Sequence, residues 1–218
     1  GFGAAMAASA DAALINATAA HALDYDDVAM GGHPSAVLVP AVLAEGQYLG
    51  ASGADALRAY LVGYEVWAEL LAREPDAYHV KGWHPTAVLG TVAAAAAVAH
   101  LHGLSDAACQ NALALAASMA SGLVANFGTM TKPFHAGRAA ACAIDAVRLT
   151  VAGLTAAPDA IEHHAGYLAA LSPQGRADRA RPASTLGRQL RILDAGLSIK
   201  SYPMCYATHL VIDGVLDL

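Results

Sequence analysis

The chain has 218 residues, 56% of them hydrophobic and 14% charged, with a formal net charge of −6. That composition excludes a disordered chain, which is poor in apolar residues and rich in charge, and leaves enough apolar surface for one sizeable core. The acidic balance excludes a general nucleic-acid binder, which needs a basic stripe to release counterions.

Alanine dominates, and it has the highest helix propensity of any residue, while β-branched residues are scattered and rarely alternate with polar ones. An all-α fold is expected. The pattern predicts helices over 7–24, 35–49, 53–73, 84–102, 105–121, 135–153, 159–170 and 204–218. A loop-rich connection over about 171–200 separates the last two, with one short helix near 184–193. Ser52 with Asp55, and Ser105 with Asp106, give N-terminal capping signals. Pro34 and Pro85 sit at predicted first turns, where a missing N–H costs little, and Gly50 and Gly103 stop the helices before them. Residues 1–218 read as a single helical domain. The chain opens without methionine at Gly1 to Gly3 and runs in helical pattern to Leu218, so it is expected to be a segment of a longer protein.

The longest apolar run, Ala87 to Leu101, is mostly alanine and is interrupted by Gly90, Thr91 and His100. It falls short of the ~20 strongly apolar residues of a membrane span, so a buried helix is expected and no membrane partner. No secretory signal is visible over Gly1 to Leu14. Cys109, Cys142 and Cys205 are odd in number and unpaired in spacing. They do not match a disulfide framework, a zinc site or an iron–sulfur pattern, and three free thiols suit a reducing cytoplasm.

Four polar islands interrupt the apolar helices. The first holds His21, Asp24, Tyr25, Asp26 and Asp27, then Gly32, His33, Pro34 and Ser35. His21 and Asp24 share a helix face, and acids at a helix C-terminus oppose its dipole. Asp24 with His33 is therefore taken as functional, whereas Asp26 or Asp27 alone reads as a solvated loop acid or a cap. The second island is Lys81 to Thr86. Pro85 pushes His84 out of helical angles and onto the N-terminus of a buried helix, where it either caps the helix or helps seat a carboxylate. The third, Asn126 to Arg138, presents Lys132 in a glycine-bearing loop before Pro133, then His135 and Arg138 one turn apart in a new helix. Lysine, histidine, arginine and a helix N-terminus make an anion site by composition, and the glycine spacing is not that of a P-loop. The fourth, Ser198 to His209, places Lys200 in an extended stretch ahead of Tyr202 and Pro203. There Cys205 is expected to be a buried inert thiol, and His209 a satisfied core histidine. His100, His102, His163 and His164 carry no functional expectation.

The stretches 21–27, 32–35, 83–86, 128–137 and 200–203, in this order, resemble the MmgE/PrpD family, whose members include 2-methylcitrate dehydratase and cis-aconitate decarboxylase. The resemblance implies a large helical domain plus a smaller α/β lid domain missing from this chain, with the active site between them. It implies a homodimer, a small polycarboxylate substrate, and neither cofactor nor metal. It assigns Asp24, His33, His84, Lys132 and Lys200 to the catalytic pocket. His135, Arg138 and Tyr202 are taken as substrate-binding. Val28 and Cys205 stand where the decarboxylase pattern has threonine and histidine, which weakens that activity and leaves dehydration more open.

Elimination from a citrate-like acid needs a base for the proton α to a carboxylate and an acid for the leaving hydroxyl. Histidine suits either role, and lysine pairs with the carboxylates. The leading expectation is a metal-independent hydro-lyase on a 2-methylcitrate-like tricarboxylate, with His33 and His84 moving protons and Asp24 orienting one imidazole. The alternatives are decarboxylation or epimerisation of a related acid, or a helical assembly module that is inactive alone.

Overall fold

The computed structural model describes residues 6–218. The expectation drawn from Gly1 to Gly3 lies outside the described residues.

Six helices make the body: α1 (Ser9–His21), α2 (Pro34–Leu49), α3 (Gly53–Ala72), α4 (Pro85–Leu101), α5 (Asp106–Met119) and α6 (Thr131–Val151). α4 is the axis, packed by α2, α3, α5 and α6, while α1 lies against α6 and α2. Every residue of α4 from Pro85 to Ala99 is buried. A helix that is apolar all round has no solvent face to spare, so the alanine run becomes the core rather than a surface. Among the described residues no helix is long and apolar enough to cross a membrane.

Small side chains set the interhelical distances. At Gly137 on α6, an added Cβ would lie 2.5 Å from the Leu14 carbonyl oxygen of α1 and would overlap Thr18 Oγ1. The N-terminal signals act as expected. Ser52 and Asp55 form a reciprocal capping box on α3, and Ser105 Oγ accepts from Ala108 N on α5. Gly50, at φ 68°, takes the left-handed turn after α2.

Five helix expectations are corrected. α1 ends at His21, three residues early, and Asp24 follows in the left-handed region at φ 50°. α6 starts at Thr131, not His135, so Lys132 and Pro133 belong to its first turn. Proline is tolerated there because first-turn N–H groups lack intrahelical partners anyway. Turns fill most of 159–170, leaving only α7 (Tyr167–Leu171). The buried Tyr167 hydroxyl donates to the Val88 carbonyl at 2.9 Å, a tertiary anchor that fixes where this helix can begin. Near 184–193 only α8 (Arg191–Asp194) forms, and the C-terminal helix shortens to α9 (His209–Leu216) behind a 3-10 turn.

The pattern also missed a two-residue antiparallel ribbon. β1 (Asp27–Val28) pairs with β2 (Ser198–Ile199), with Asp27 opposite Ile199. α3 steers the approach to β2: Glu65 Oε1 accepts from Arg191 N at 2.7 Å, and the Tyr64 hydroxyl donates to Gly196 O. The ribbon joins the two ends of the chain and delivers Lys200 to the first polar island.

Candidate active site

A cavity of about 650 Å³ opens where the C-terminal end of α1 meets the N-terminal ends of α2, α4 and α6. His21 closes α1, while His33 and His84 precede the first residues of α2 and α4. Lys132 lies in the first turn of α6. Helix N-termini carry partial positive charge and free N–H groups, so this junction favours an anion. Gly32 places His33: a Cβ there would stand 2.7 Å from Trp67 Cζ2, and Trp67 Nε1 donates to the Met30 carbonyl at 3.3 Å.

The acids and bases form one network. Lys132 Nζ lies 2.9 Å from Asp24 Oδ2 and sits over the Phe127 ring at 5.4 Å. Lys200 Nζ donates to Asp24 O and to Asp24 Oδ1, both at 2.8 Å, and lies 2.9 Å from Asp26 Oδ1. Asp26 Oδ2 is 2.5 Å from His21 Nδ1. His33 Nδ1 is 2.7 Å from the Asp27 carbonyl and 3.2 Å from Asp26 Oδ1.

Burial by itself would raise the Asp24 carboxyl, but hydrogen bonds from Lys200 and Lys132 outweigh it and hold the group at about 2. Burial likewise opposes ionisation of Asp26, and hydrogen bonds from His21 and His33 overturn it, leaving this carboxyl far below the usual range. Both acids are therefore anionic and already neutralised by two lysines. His84 is driven the other way. Burial, then the positive potential of His21, His135 and Lys132, pushes its imidazole down to about 2. It works as a neutral group. The donor atoms of His21, Asp24, Asp26 and His33 fall within 4.8 Å of one another, a spacing that could take a cation. The two ammonium groups already on those carboxylates make the donor set a poor fit for one.

Of the residues named from the sequence, Asp24, His33, His84 and Lys132 line the cavity together. Lys200 does not. Its side chain is fully buried behind Asp24. His135 is also buried off the wall, its Nδ1 3.2 Å from His84 Nδ1. The Arg138 guanidinium turns to Cys142 Sγ at 3.2 Å, and the Tyr202 hydroxyl donates to Asp213 at 2.6 Å, so neither reaches the cavity. Cys205 corrects an expectation: it is exposed, on the cavity wall. His209 is buried, but it is not the satisfied core histidine expected: among the described residues its Nε2 has no hydrogen-bond partner. His100 is exposed at the end of α4. Asp27 is the cap that the pattern allowed, accepting from Ser35 N and Ser35 Oγ at the start of α2.

His21 and Asp26 were the residues missed. Their spacing of five gave no helical signal, because a chain reversal after α1, not a helix face, brings them together. Phe127 was passed over as a flank, yet it meets the His84 ring edge-on at 4.7 Å.

The molecule is thus a helical domain built around an anion-attracting cavity of imidazoles, lysine and paired carboxylates. The MmgE/PrpD N-terminal domain matches residues 3–180, and the chain belongs to this family. It is 34% identical to the cis-aconitate decarboxylase of Mus musculus over 209 residues and 35% identical to that of Homo sapiens over 216. Those alignments cover 93% and 95% of this chain, and 42% and 44% of the relatives, so the chain spans less than half of their length. A cis-aconitate decarboxylase of Aspergillus terreus is 33% identical over 138 residues, 59% of this chain and 28% of that protein.

Proposed function

We propose that the protein carrying this domain is a lyase acting on a tricarboxylate, and that its reaction is dehydration of a 2-methylcitrate-like hydroxy acid. The observation that carries the reading is the cavity's pairing of an accessible ammonium, Lys132, with two histidines at helix N-termini. Lys132 and the helix N-termini receive substrate carboxylates and hold the negative charge that grows on the carboxylate next to the reacting carbon. One histidine removes the proton α to that carboxylate. The C–H electron pair becomes the alkene, and the C–O bond breaks. The hydroxyl leaves as water with a proton from the other histidine. His84 suits the donor role because a neutral imidazole can give an Nε2 hydrogen when its Nδ1 accepts from His135. Asp24 holds Lys132 in place and keeps its charge beside the reacting groups.

A second reading, decarboxylation of cis-aconitate, rests on the names of the relatives. Cys205 on the cavity wall, where the decarboxylase pattern has histidine, favours dehydration. The test incubates the full-length protein with 2-methylcitrate, citrate and cis-aconitate, following ultraviolet absorbance of a conjugated alkene and carbon dioxide release. Alkene formation from 2-methylcitrate is the expected result. Gas from cis-aconitate with no dehydration would replace it by the second reading, and silence with all three acids would sink both. A homodimer in the cytoplasm belongs to the same proposal, and the mass of the full-length protein in solution checks the dimer.

A further inference from the structure

We infer that Asp26, which does not face the cavity, is a positioning residue: its buried charge beside Nδ1 supports His33 as the base, while the Asp27 carbonyl holds the ring's proton on Nδ1. This rests on the lyase reading for its kinetic consequence, but not for the tautomer.

Nδ1 of His33 is hydrogen-bonded to the Asp27 carbonyl oxygen at 2.7 Å, and Asp26 Oδ1 lies 3.2 Å away in ionic contact; both groups can only accept. A nitrogen between two acceptors must carry the hydrogen. The neutral ring then has a free lone pair on Nε2, and His33 lies on the cavity wall. Asp24 Oδ1 stands 3.8 Å from Nε2 and, being ionised, has no hydrogen to offer that lone pair. An anionic carboxylate behind Nδ1 also stabilises the imidazolium that forms when Nε2 takes a proton, the arrangement by which a buried acid assists a histidine base.

Asp26 is built to be that acid. Its side chain is 6% exposed, and His21 Nδ1, Lys200 Nζ and His33 Nδ1 surround its two oxygens. The bonds from these cationic and N–H groups keep it ionised despite burial. The backbone holds the loop as well: Lys200 N donates to the Asp26 carbonyl at 3.1 Å, beside the β1–β2 ribbon. His21 takes the same tautomer for the same reason, and its Nε2 has no partner among the described residues.

The experiment compares the full-length protein with its Asp26→Asn variant, using nitrogen-15-labelled histidine and steady-state kinetics on 2-methylcitrate and cis-aconitate. In the parent, neutral His33 should show a protonated Nδ1 and a bare Nε2. In the variant the Asp27 carbonyl still holds the proton on Nδ1, so the tautomer should persist while the His33 nitrogen resonances shift with the lost charge, and kcat should fall by about 10-fold to 10³-fold, with KM within about threefold. A purely structural role would lower the melting temperature and leave the histidine spectrum and the kcat–KM split alone. A parent spectrum with His33 protonated on Nε2 overturns the inference, as does a variant with parental kcat on a substrate the parent turns over. Should the variant not fold, the parent spectrum alone decides. Should neither acid be turned over, the lyase reading fails while the spectrum still judges the tautomer.

Discussion

Replacing Lys200 with methionine probes the ion network at its most buried point. The ammonium donates to Asp24 O and Asp24 Oδ1 at 2.8 Å and forms an ion pair with Asp26 Oδ1 at 2.9 Å. Methionine fills most of the stem's volume, removes all three contacts and leaves Asp26 without a lysine. Breaking a buried pair from one side costs about 3–5 kcal/mol, because the surviving charge stays out of water. Asp24 keeps Lys132 at 2.9 Å and Asp26 keeps His21 at 2.5 Å, which places the loss at the low end, about 3 kcal/mol. In a domain of this size each kcal/mol lowers Tm by roughly 2–4 °C, so the fall is about 6–12 °C. The assay is thermal unfolding at pH 7 by circular dichroism, with Lys132→Met run beside it. The Lys132 side chain borders the cavity at 18% exposure, and Asp24 keeps Lys200 when it is removed, so the loss should stay at about 1 kcal/mol and that variant should lose no more than about 4 °C. Two variants that melt together would refute the distinction between a buried anchor and a cavity-facing cation. A Lys200→Met protein that melts with the parent would refute the network energetics altogether. The Asp24 carboxyl, held at about 2 partly by Lys200, should also rise in the variant by carbon-13 titration.

Lys132→Ala should raise KM about 10-fold to 100-fold, the worth of one charge-assisted hydrogen bond, in steady-state assays on the confirmed substrate; an unchanged KM removes Lys132 from carboxylate binding. His84→Ala should instead lower kcat by about 10²-fold or more, and a variant with parental turnover would show that His84 moves no proton. Stability should also depend on acid through His84. Its imidazole falls from 6.5 in the unfolded chain to about 2 when buried, so stability is complete above pH 6.5 and drains away as pH drops toward 2. Asp24 adds a loss of the same sign below 3.8. Denaturant midpoints at pH 7, 5.5 and 4.5 should fall less steeply in His84→Asn, and parallel curves would contradict a buried neutral imidazole. Gly137→Ala should cost about 1–3 kcal/mol by forcing α6 off Leu14 and Thr18, visible as a lower Tm; a neutral result would mean that the α1–α6 contact yields easily.

Helix identity in this protein is a local matter, and the sequence carried it. Alanine runs, prolines at first turns and the serine caps of α3 and α5 act within a few residues, so the six long helices and the burial of α4 could be read from neighbours alone. The same reading found four of the cavity's chemical groups, because Asp24, His33, His84 and Lys132 each sit at a helix end that breaks an apolar pattern. Tertiary structure decided which groups face the cavity and which stand behind it. Lys200 enters through a ribbon whose partners are at least 170 residues apart in the chain, and its contacts with Asp24 and Asp26 take it out of reach of a ligand. Asp26, ordinary as a loop acid, becomes the hub because the reversal after α1 sets it against His21, His33 and Lys200 at once. Arg138 and Tyr202 sit in suggestive company in the chain, yet their nearest polar partners point them elsewhere. The difference is physical. Helix formation is governed by contacts three or four residues apart, whereas the protonation and aim of a buried polar group are set by whatever the fold brings within 3 Å of it.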